Sequence, residues 1–476
     1  MKQSVRDIRK YSPSWNFVGV DGRTSLTPIG SDDVATVALD DTFSQRFPPY
    51  GFPKIQWVQQ EKLYDLYRAH PEYFALNTPN SAYRSLIDQS KLAEEIISSA
   101  YLRGDIAFFE RRLKFVGGLR LEQTNIKAQG PLTDPTLNFS RDSSGRVIDG
   151  NPELAGVQPV LIVPTADALG VSRLTYLDRG YRAEKEYLRY FPNINASYNV
   201  RENLIARASW YTSIGRPNFD QYSGGLTLPN TETPPDTSNR IQVNNVGIKP
   251  WSARTTKVRL EYYFERVGQL SIGAFRRDFK NFFGSIRFPV TPEFLALYNL
   301  DPAEYSPFDV STNYNLPNTV RMTGVEFDYT QALTFLPPWA RGVQVLAKAS
   351  AQRATGAAAA SFSGYVPRSG SWGVSLSRQK YNVKLNWNYR SPARLDPVTG
   401  RGIEAGTYEW RSKKMLRDIY ADYALTRHLG LFASLRNVGS APEDLKRFGP
   451  NTPSIARFRQ RQDYGSAWTF GVRGTF

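Results

Sequence analysis

Few residues of this 476-residue chain have the types and spacing that a catalytic or metal site requires. The chain has no cysteine, and its two histidines, His70 and His428, lie far apart. Disulfides, thiolate metal sites and cysteine nucleophiles are therefore excluded. Glu326 and Asp328 share a face of an alternating segment, but the strand pleat alone gives that spacing, and no base or nucleophile accompanies them. We expect no enzymatic activity, no cofactor and no metal site.

The segments that position these side chains alternate with a period of two. Between residues 381 and 390, apolar and polar residues strictly alternate, which predicts a strand with one apolar face. The same alternation occurs in residues 113–124, 204–211, 256–264, 325–330 and 343–348. A soluble sandwich would bury the apolar face, whereas a membrane barrel would turn it to lipid and its charges to the lumen. Alternation alone leaves the choice between these two orientations open.

The connections between these strands alternate between short and long, which favours the membrane arrangement. Tight links are predicted at residues 199–203, 265–269, 336–342, 378–381 and 426–429, and long loops at 128–182, 216–250, 284–317, 391–406 and 439–462. Short turns on one side and long loops on the other are typical of transmembrane barrels. The sequence therefore predicts an all-β, transmembrane, antiparallel up-and-down β-barrel, partial, with about fourteen strands. Helical periodicity near residues 55–69 and 91–97 predicts short helices in a long loop spanning about 20–90.

The chain carries 60 Lys and Arg against 44 Asp and Glu, a formal net charge of +16. A strongly basic protein raises the possibility of nucleic-acid binding. These basic residues are spread along the chain, so we expect no nucleic-acid partner. Phosphorylated outer-membrane lipids, including lipopolysaccharide, and a polar channel wall would both accommodate Lys and Arg.

The last strand ends on an aromatic residue. Trp468, Phe470, Val472 and Phe476 have the same parity in the final segment. This pattern resembles the assembly signal of bacterial outer-membrane barrels, which implies recognition by the barrel assembly machinery through pairing of an exposed edge strand.

Internal segments resemble the C-terminal barrel of TonB-dependent outer-membrane receptors, in that family's order and spacing. They are YFPNINASY at 190–198, SIGRPNF at 213–219, IKPWSARTTKVRLEYY at 248–263, GAFRRDFKNF at 273–282, TGVEFDY at 323–329 and LRNV at 435–438. Arg216, Pro217 and Asn218 form the family-like step at which a strand leaves the membrane for a loop. Because proline ends ladder hydrogen bonding, we interpret this triplet as a structural strand end and not as a ligand contact.

The resemblance implies that residues 1–476 are a C-terminal portion of a receptor barrel in a Gram-negative outer membrane. The family's plug, its TonB-binding box and a secretory signal are expected to be absent from this sequence, so the TonB complex would be reached only through that N-terminal region. The implied function is energised uptake of a small nutrient: a siderophore, a cofactor or an oligosaccharide. Two alternatives are a passive porin-like barrel and a secreted all-β carbohydrate-binding or adhesive protein. Loop aromatics Tyr222, Tyr305 and Tyr314 could stack on a ligand or serve in packing.

Overall fold

The elements below come from a computed structural model. It describes residues 1–10, 14–23, 32, 35–47, 51–76, 79–149, 158–236, 238–244, 248–265, 267–315, 318–356, 359, 362, 364–398 and 403–474. The strands within these residues are β1 (Lys2–Arg9), β2 (Trp15–Phe17), β3 (Phe74–Leu76), β4 (Ser90–Phe108), β5 (Leu113–Thr133), β6 (Tyr176–Arg201), β7 (Leu204–Gly215), β8 (Leu226–Thr227), β9 (Ile241–Val243), β10 (Trp251–Tyr263), β11 (Gly268–Lys280), β12 (Phe283–Pro289), β13 (Asp309–Asn315), β14 (Val320–Ala332), β15 (Val343–Thr355), β16 (Arg368–Ser377), β17 (Tyr381–Arg390), β18 (Ala393–Pro397), β19 (Tyr408–Arg411), β20 (Lys414–Ala424), β21 (Leu429–Arg436), β22 (Glu443–Phe448), β23 (Phe458–Gln462) and β24 (Ala467–Gly474). The α-helices are α1 (Gln60–Ala69), α2 (Pro79–Asp88), α3 (Ala168–Thr175), α4 (Phe219–Ser223), α5 (Pro292–Tyr298) and α6 (Pro302–Tyr305).

Fourteen of the described strands form one antiparallel up-and-down sheet. They are β1, β4, β5, β6, β7, β10, β11, β14, β15, β16, β17, β20, β21 and β24, and each pairs with the next in this series. The predicted fold class and the count of about fourteen strands are confirmed. Short turns alternate with long connections, and the helices and short strands all lie in the long ones.

Two strands extend further than their sequence pattern predicts. β5 has 21 residues and β6 has 26, so the connection predicted at 128–182 is reduced to 134–175. The upper parts of both strands are the ends nearest the long connection 134–175. They stay paired because Ile126, Ala128, Tyr181 and Ala183 are buried there against loop residues. Burial of these side chains stabilises a strand pairing that local composition does not indicate.

The first long connection contains two helices, but only one lies where periodicity predicted it. α1 falls within residues 55–69, whereas the helix predicted near residues 91–97 is wrong, because this segment belongs to β4. There the backbone pairs with β1 on one side and β5 on the other. Two ladders of hydrogen bonds outweigh a weak local helical preference over seven residues. The second helix is α2, with Ala82 and Ile87 buried.

The solvent exposure of residues on adjacent strands shows whether the apolar face of the sheet points outward or inward. Val258, Ile272 and Val325 lie on adjacent strands and are 51%, 57% and 55% exposed. On the opposite face of the same strands, Glu261 and Ser271 are 8% and 3% exposed. Apolar side chains therefore face outward and polar ones inward, which is the membrane-barrel orientation.

Among the described helices, none combines the length and apolar character needed to cross a membrane.

Candidate functional site

The inner face of the sheet is a wall of paired charges. Lys257 Nζ on β10 lies 2.5 Å from Glu326 Oε2 on β14, and Lys348 Nζ on β15 lies 3.0 Å from Asp328 Oδ2. The two carboxylates thus face the lumen, as their parity predicts. Asp328 has its basic partner on the neighbouring strand β15, whereas Lys257 reaches Glu326 across the intervening strand β11. This arrangement serves as a polar lining and provides no acid and base poised over a substrate.

A third carboxylate of this wall, Glu261, is shared by two arginines. Arg207 Nε donates to Glu261 Oε2 at 2.9 Å, and Arg259 Nε lies 3.3 Å from Glu261 Oε1. Arg259 also donates to Ser271 Oγ at 2.7 Å. Because a buried carboxylate is tolerated only when it is paired and hydrogen-bonded, these contacts fix the positions of three strands relative to one another.

The predicted strand-end triplet lies where β7 leaves the sheet. The Arg216 guanidinium contacts Glu122 of β5, and its Nε lies 3.8 Å from Glu95 Oε2 of β4. Arg120 also reaches Glu122, at 2.8 Å. Pro217 is buried. Arg216 thus ties the top of β7 to two distant strands.

Asn218 starts α4 through a capping box. Its side chain accepts from Gln221 N at 2.9 Å, and Gln221 Oε1 accepts from Asn218 N at 2.9 Å. These reciprocal bonds satisfy two amides that the first helical turn leaves unpaired. All three residues of the triplet therefore have structural contacts within the chain, while their assignment as a family-specific strand end stays a prediction.

The loop tyrosines are packing residues. Tyr222 is fully buried and Tyr305 is 5% exposed, in an apolar cluster that fills the inner side of the upper sheet. Burial raises the pKa of both phenols above the ordinary value. Of the two roles that the sequence leaves open, ligand stacking and packing, the structure shows packing for these two rings, because neither ring is accessible. The side chain of Tyr314 lies outside the described residues.

A half-buried lysine lies beneath the same loops. Lys185 Nζ donates to the Ile248 carbonyl at 2.5 Å. Burial, with the nearby charges of Lys249 and Arg189, lowers the pKa of Lys185 to about 8. The upper inner face is therefore cationic and poorly solvated at this point, which the sequence pattern did not indicate because Lys249 reaches it from a loop.

Two of the long connections combine into a second sheet of β18, β19, β22 and β23. Trp410 stacks on Phe448 with ring centroids 5.1 Å apart and an interplanar angle of 10°. Arg457 lies 4.8 Å from the Phe448 ring centroid, and Arg394 lies 4.6 Å from that of Tyr408. Arginine over an aromatic face is an attractive arrangement. We call these four strands the loop sheet.

Carboxylates of the loop sheet are held by arginines. Arg447 lies 2.7 Å from Glu409, and Arg459 also contacts it. The hydrogen bond from Arg447 lowers the pKa of Glu409 below its ordinary value. β18, β22 and β23 lie within the long loops predicted at 391–406 and 439–462, and the residues of β22 and β23 show no strict alternation. YEWR, in β19 between those two loops, alternates and could have indicated a strand.

A second carboxylate, Glu443, has three basic neighbours. Arg390, Arg411 and Lys414 lie 2.9, 3.0 and 3.2 Å from its oxygens. Partial burial acts to raise the pKa of Glu443, but the bonds and charges of Lys414 and Arg390 outweigh it and leave the pKa below its ordinary value.

The aromatic residues of the last strand face outward. Trp468, Phe470 and Val472 are 63%, 66% and 63% exposed, and Phe476 lies outside the described residues. β24 pairs with β21 on one side. Recognition of this strand as an assembly signal stays a prediction.

Within the described part of the chain, no group of three or more His, Cys, Asp or Glu side chains is placed to hold a metal ion.

Comparison with known proteins gives one family and a set of solved structures. The family model "TonB dependent receptor-like, beta-barrel" matches residues 5–438. No curated protein matches. The ferric-catecholate import receptor Fiu of E. coli K12 is 14% identical, with a TM-score of 0.50 over 81% of this chain and 45% of that one. The ferric enterobactin receptor PfeA of Pseudomonas aeruginosa, as a Q482A mutant with enterobactin, is 13% identical, with a TM-score of 0.47 over 81% and 55%. The ferric citrate transporter FecA is 14% identical, with a TM-score of 0.47 over 80% and 45%. The chain spans about half the length of these structures.

Proposed function

Because this chain belongs to the TonB-dependent receptor β-barrel family, we propose that it spans a Gram-negative outer membrane. The protein containing it would import a small nutrient with energy delivered through TonB. One observation carries the membrane position: along β10, β11 and β14, apolar residues face outward while Lys257, Glu261 and Glu326 face inward in ion pairs. A soluble sandwich would place these faces the other way round.

Charge on the loops favours an anionic nutrient, such as a metal chelate, over a neutral oligosaccharide. The loop sheet contains six basic and four acidic residues, and Arg394 and Arg457 cover aromatic rings there. Lys185 and Lys249 add positive charge on the inner side of the upper sheet. Arginines and aromatic rings together suit a planar anion, because the former supply charge-assisted bonds and the latter stacking surface.

We propose transport without a covalent step. The two histidines, His70 and His428, lie far apart in the sequence, and the charged inner residues are occupied in pairs between strands. The barrel assembly machinery and the TonB complex are the proposed protein partners.

The membrane position can be tested cleanly because the chain has no cysteine of its own. We expect Val325→Cys, on the outer face, to react with a lipid-soluble maleimide but not with a charged thiosulfonate reagent. Ser350→Cys, on the inner polar face, should show the opposite preference in the same detergent-extracted membranes. Reaction of Val325→Cys with the charged reagent would favour the secreted all-β alternative.

A passive porin-like barrel would give the same labelling result, so a transport measurement is needed to distinguish it from an energised receptor. Uptake of a radiolabelled ferric chelate by cells carrying the full protein should stop when the proton gradient is collapsed with an uncoupler. Uptake that continues by diffusion would identify a passive pore.

A further inference from the structure

Four arginines lie together on the outward face, above the apolar band. Arg254, Arg276, Arg321 and Arg353 belong to the adjacent strands β10, β11, β14 and β15, and all four are exposed. In the register, Arg254 and Arg321 both pair with Asp278, while Arg276 and Arg353 both pair with Thr323. They therefore occupy two successive rows spanning three strand spacings, about 14 Å. We call them the arginine patch.

Positive charge in the patch exceeds what the chain itself neutralises. Asp278 is shared by Arg276 and Arg321, each with Nε 2.9 Å from a carboxylate oxygen. Arg254 lies 5.9 Å from the ring centroid of Trp210. In the described residues, no carboxylate lies within ion-pair distance of Arg254 or Arg353. Two of the four guanidinium groups thus remain available to an external anion.

The height of the patch matches the outer membrane interface. Arg254 lies eight residues from Tyr262, which is at the opposite end of β10 near the short turn. At about 3.3 Å per residue this is roughly 26 Å along the strand, which at a tilt of about 40° is about 20 Å across the membrane, so the long arginine side chains reach the edge of an outward apolar band about 25 Å tall. Positive side chains at this level meet lipid headgroups, not acyl chains.

Lower on the same face lies an apolar depression that begins below β10, β11 and β14 of the patch and extends across β7 to Ala196 and Tyr198 of β6. It has a volume of about 520 Å³ and is lined on the outward face by Ala208, Val258, Ala274 and Val325, among others. Val258 is four residues below Arg254, and Val325 is four below Arg321, about 13 Å along each strand. Cationic groups above an apolar groove complement a molecule with an anionic head and hydrocarbon tails.

The opposite flank of the same outward face lacks this arrangement. Above the apolar band of β5 and β6, the exposed charges are Lys127 and Arg182 together with Glu184 and Glu186. Lys127 lies 3.8 Å from Glu184. Positive and negative charges balance there, so the excess on β10 to β15 is a local feature and not a consequence of the net charge of the chain.

We infer that the arginine patch and the depression beneath it form a binding site for a phosphorylated, multiply acylated glycolipid of the outer leaflet, lipopolysaccharide. Its phosphates would lie among the guanidinium groups and its acyl chains in the depression. This site rests on the proposed membrane position, but is separate from nutrient uptake, because it faces lipid and not the lumen.

The test uses Arg254→Gln with Arg353→Gln, which leaves the ion pairs of Asp278 intact. The purified chain in detergent is titrated with diphosphorylated lipid A and bound lipid is counted by native mass spectrometry. A juxtamembrane arginine contributes about fivefold to the binding of anionic lipid, so the double variant should bind roughly 30-fold more weakly. Lys127→Gln with Arg182→Gln removes the same charge from the other flank and should bind within about twofold of wild type. Dephosphorylated lipid A should not distinguish the variants.

Equal binding of diphosphorylated lipid by the two double variants would overturn the site. A dimer lost only in the arginine-patch variant, with no change in lipid binding, would instead assign the patch to a second copy of the chain and also overturn it. Cysteine labelling of Val325→Cys in the same preparation reports the membrane orientation independently, so failure of the lipid site is distinguishable from failure of the proposed function.

Discussion

Residues of one type are buried on the inward face or exposed on the outward face, depending on whether they occupy odd or even positions of a strand. Glu261 is 8% exposed between two arginines, while Glu184 and Glu186 are exposed on the outward face. The parity of a charged residue was predictable from the sequence, but its partner was not. Arg216 contacts Glu122 across 94 positions, a distance over which no local pattern carries information.

The ion pairs of Glu409 predict an acid-sensitive loop sheet. Arg447, then Arg459, hold its native pKa below the ordinary value of 4.5, so the charged form stabilises the native sheet above that pH. This stability is lost as pH falls from 4.5 through the lowered native value. We expect hydrogen-exchange protection of β19 and β22, corrected for intrinsic rates, to fall progressively below pH 4.5.

Glu409→Gln should remove part of this acid dependence, since a neutral amide cannot titrate in this range. Glu202→Gln, at an exposed turn between β6 and β7, should leave it as in wild type. An unchanged acid profile in Glu409→Gln would show that other groups control the sheet.

Strands differ in how much of them the sequence determines. β17 spans Tyr381–Arg390, the ten residues whose alternation predicts it, because strict alternation suits a strand with lipid on one face and water on the other. The loop sheet is not predictable from local sequence because its central strands, β19 and β22, come from different long connections, and each short strand is stabilised by pairing with the others. The segment 91–97 was assigned wrongly for the related reason that its pairing partners, β1 and β5, are invisible in its own residues.

Close packing on the inner face of β14 depends on a glycine. An added Cβ at Gly324 would lie 2.6 Å from Phe275 Cζ and 2.7 Å from the Ala351 carbonyl oxygen. Gly324→Ala should therefore lower the free energy of unfolding by about 1–3 kcal/mol, since neither the ring in its cluster nor the backbone yields easily. The measurement is the urea midpoint of the chain refolded into lipid vesicles.

Gly104→Ala is the matched control on β4, because nothing lies within 4 Å of an added Cβ there. Its midpoint should stay close to that of wild type. Equal losses in the two variants would mean that the general cost of replacing a strand glycine, and not this contact, is being measured.

In the whole molecule, the apolar face of the sheet points outward and the polar face points inward. Two arginine substitutions, one on each face, test this orientation through the free energy of unfolding. Val258 lies midway between Arg254 and Tyr262 on the outward face of β10, while Asn388 faces the inner groove from β17. Val258→Arg would place a charge near the bilayer midplane and should lower the free energy of unfolding in vesicles by about 2–4 kcal/mol. Asn388→Arg meets water and the polar wall, so its effect should stay within about 0.5 kcal/mol. A larger loss of stability in Asn388→Arg than in Val258→Arg would instead place Val258 in water and Asn388 in a sealed interior. The assignment of the outward face to lipid and the inward face to water would then be wrong.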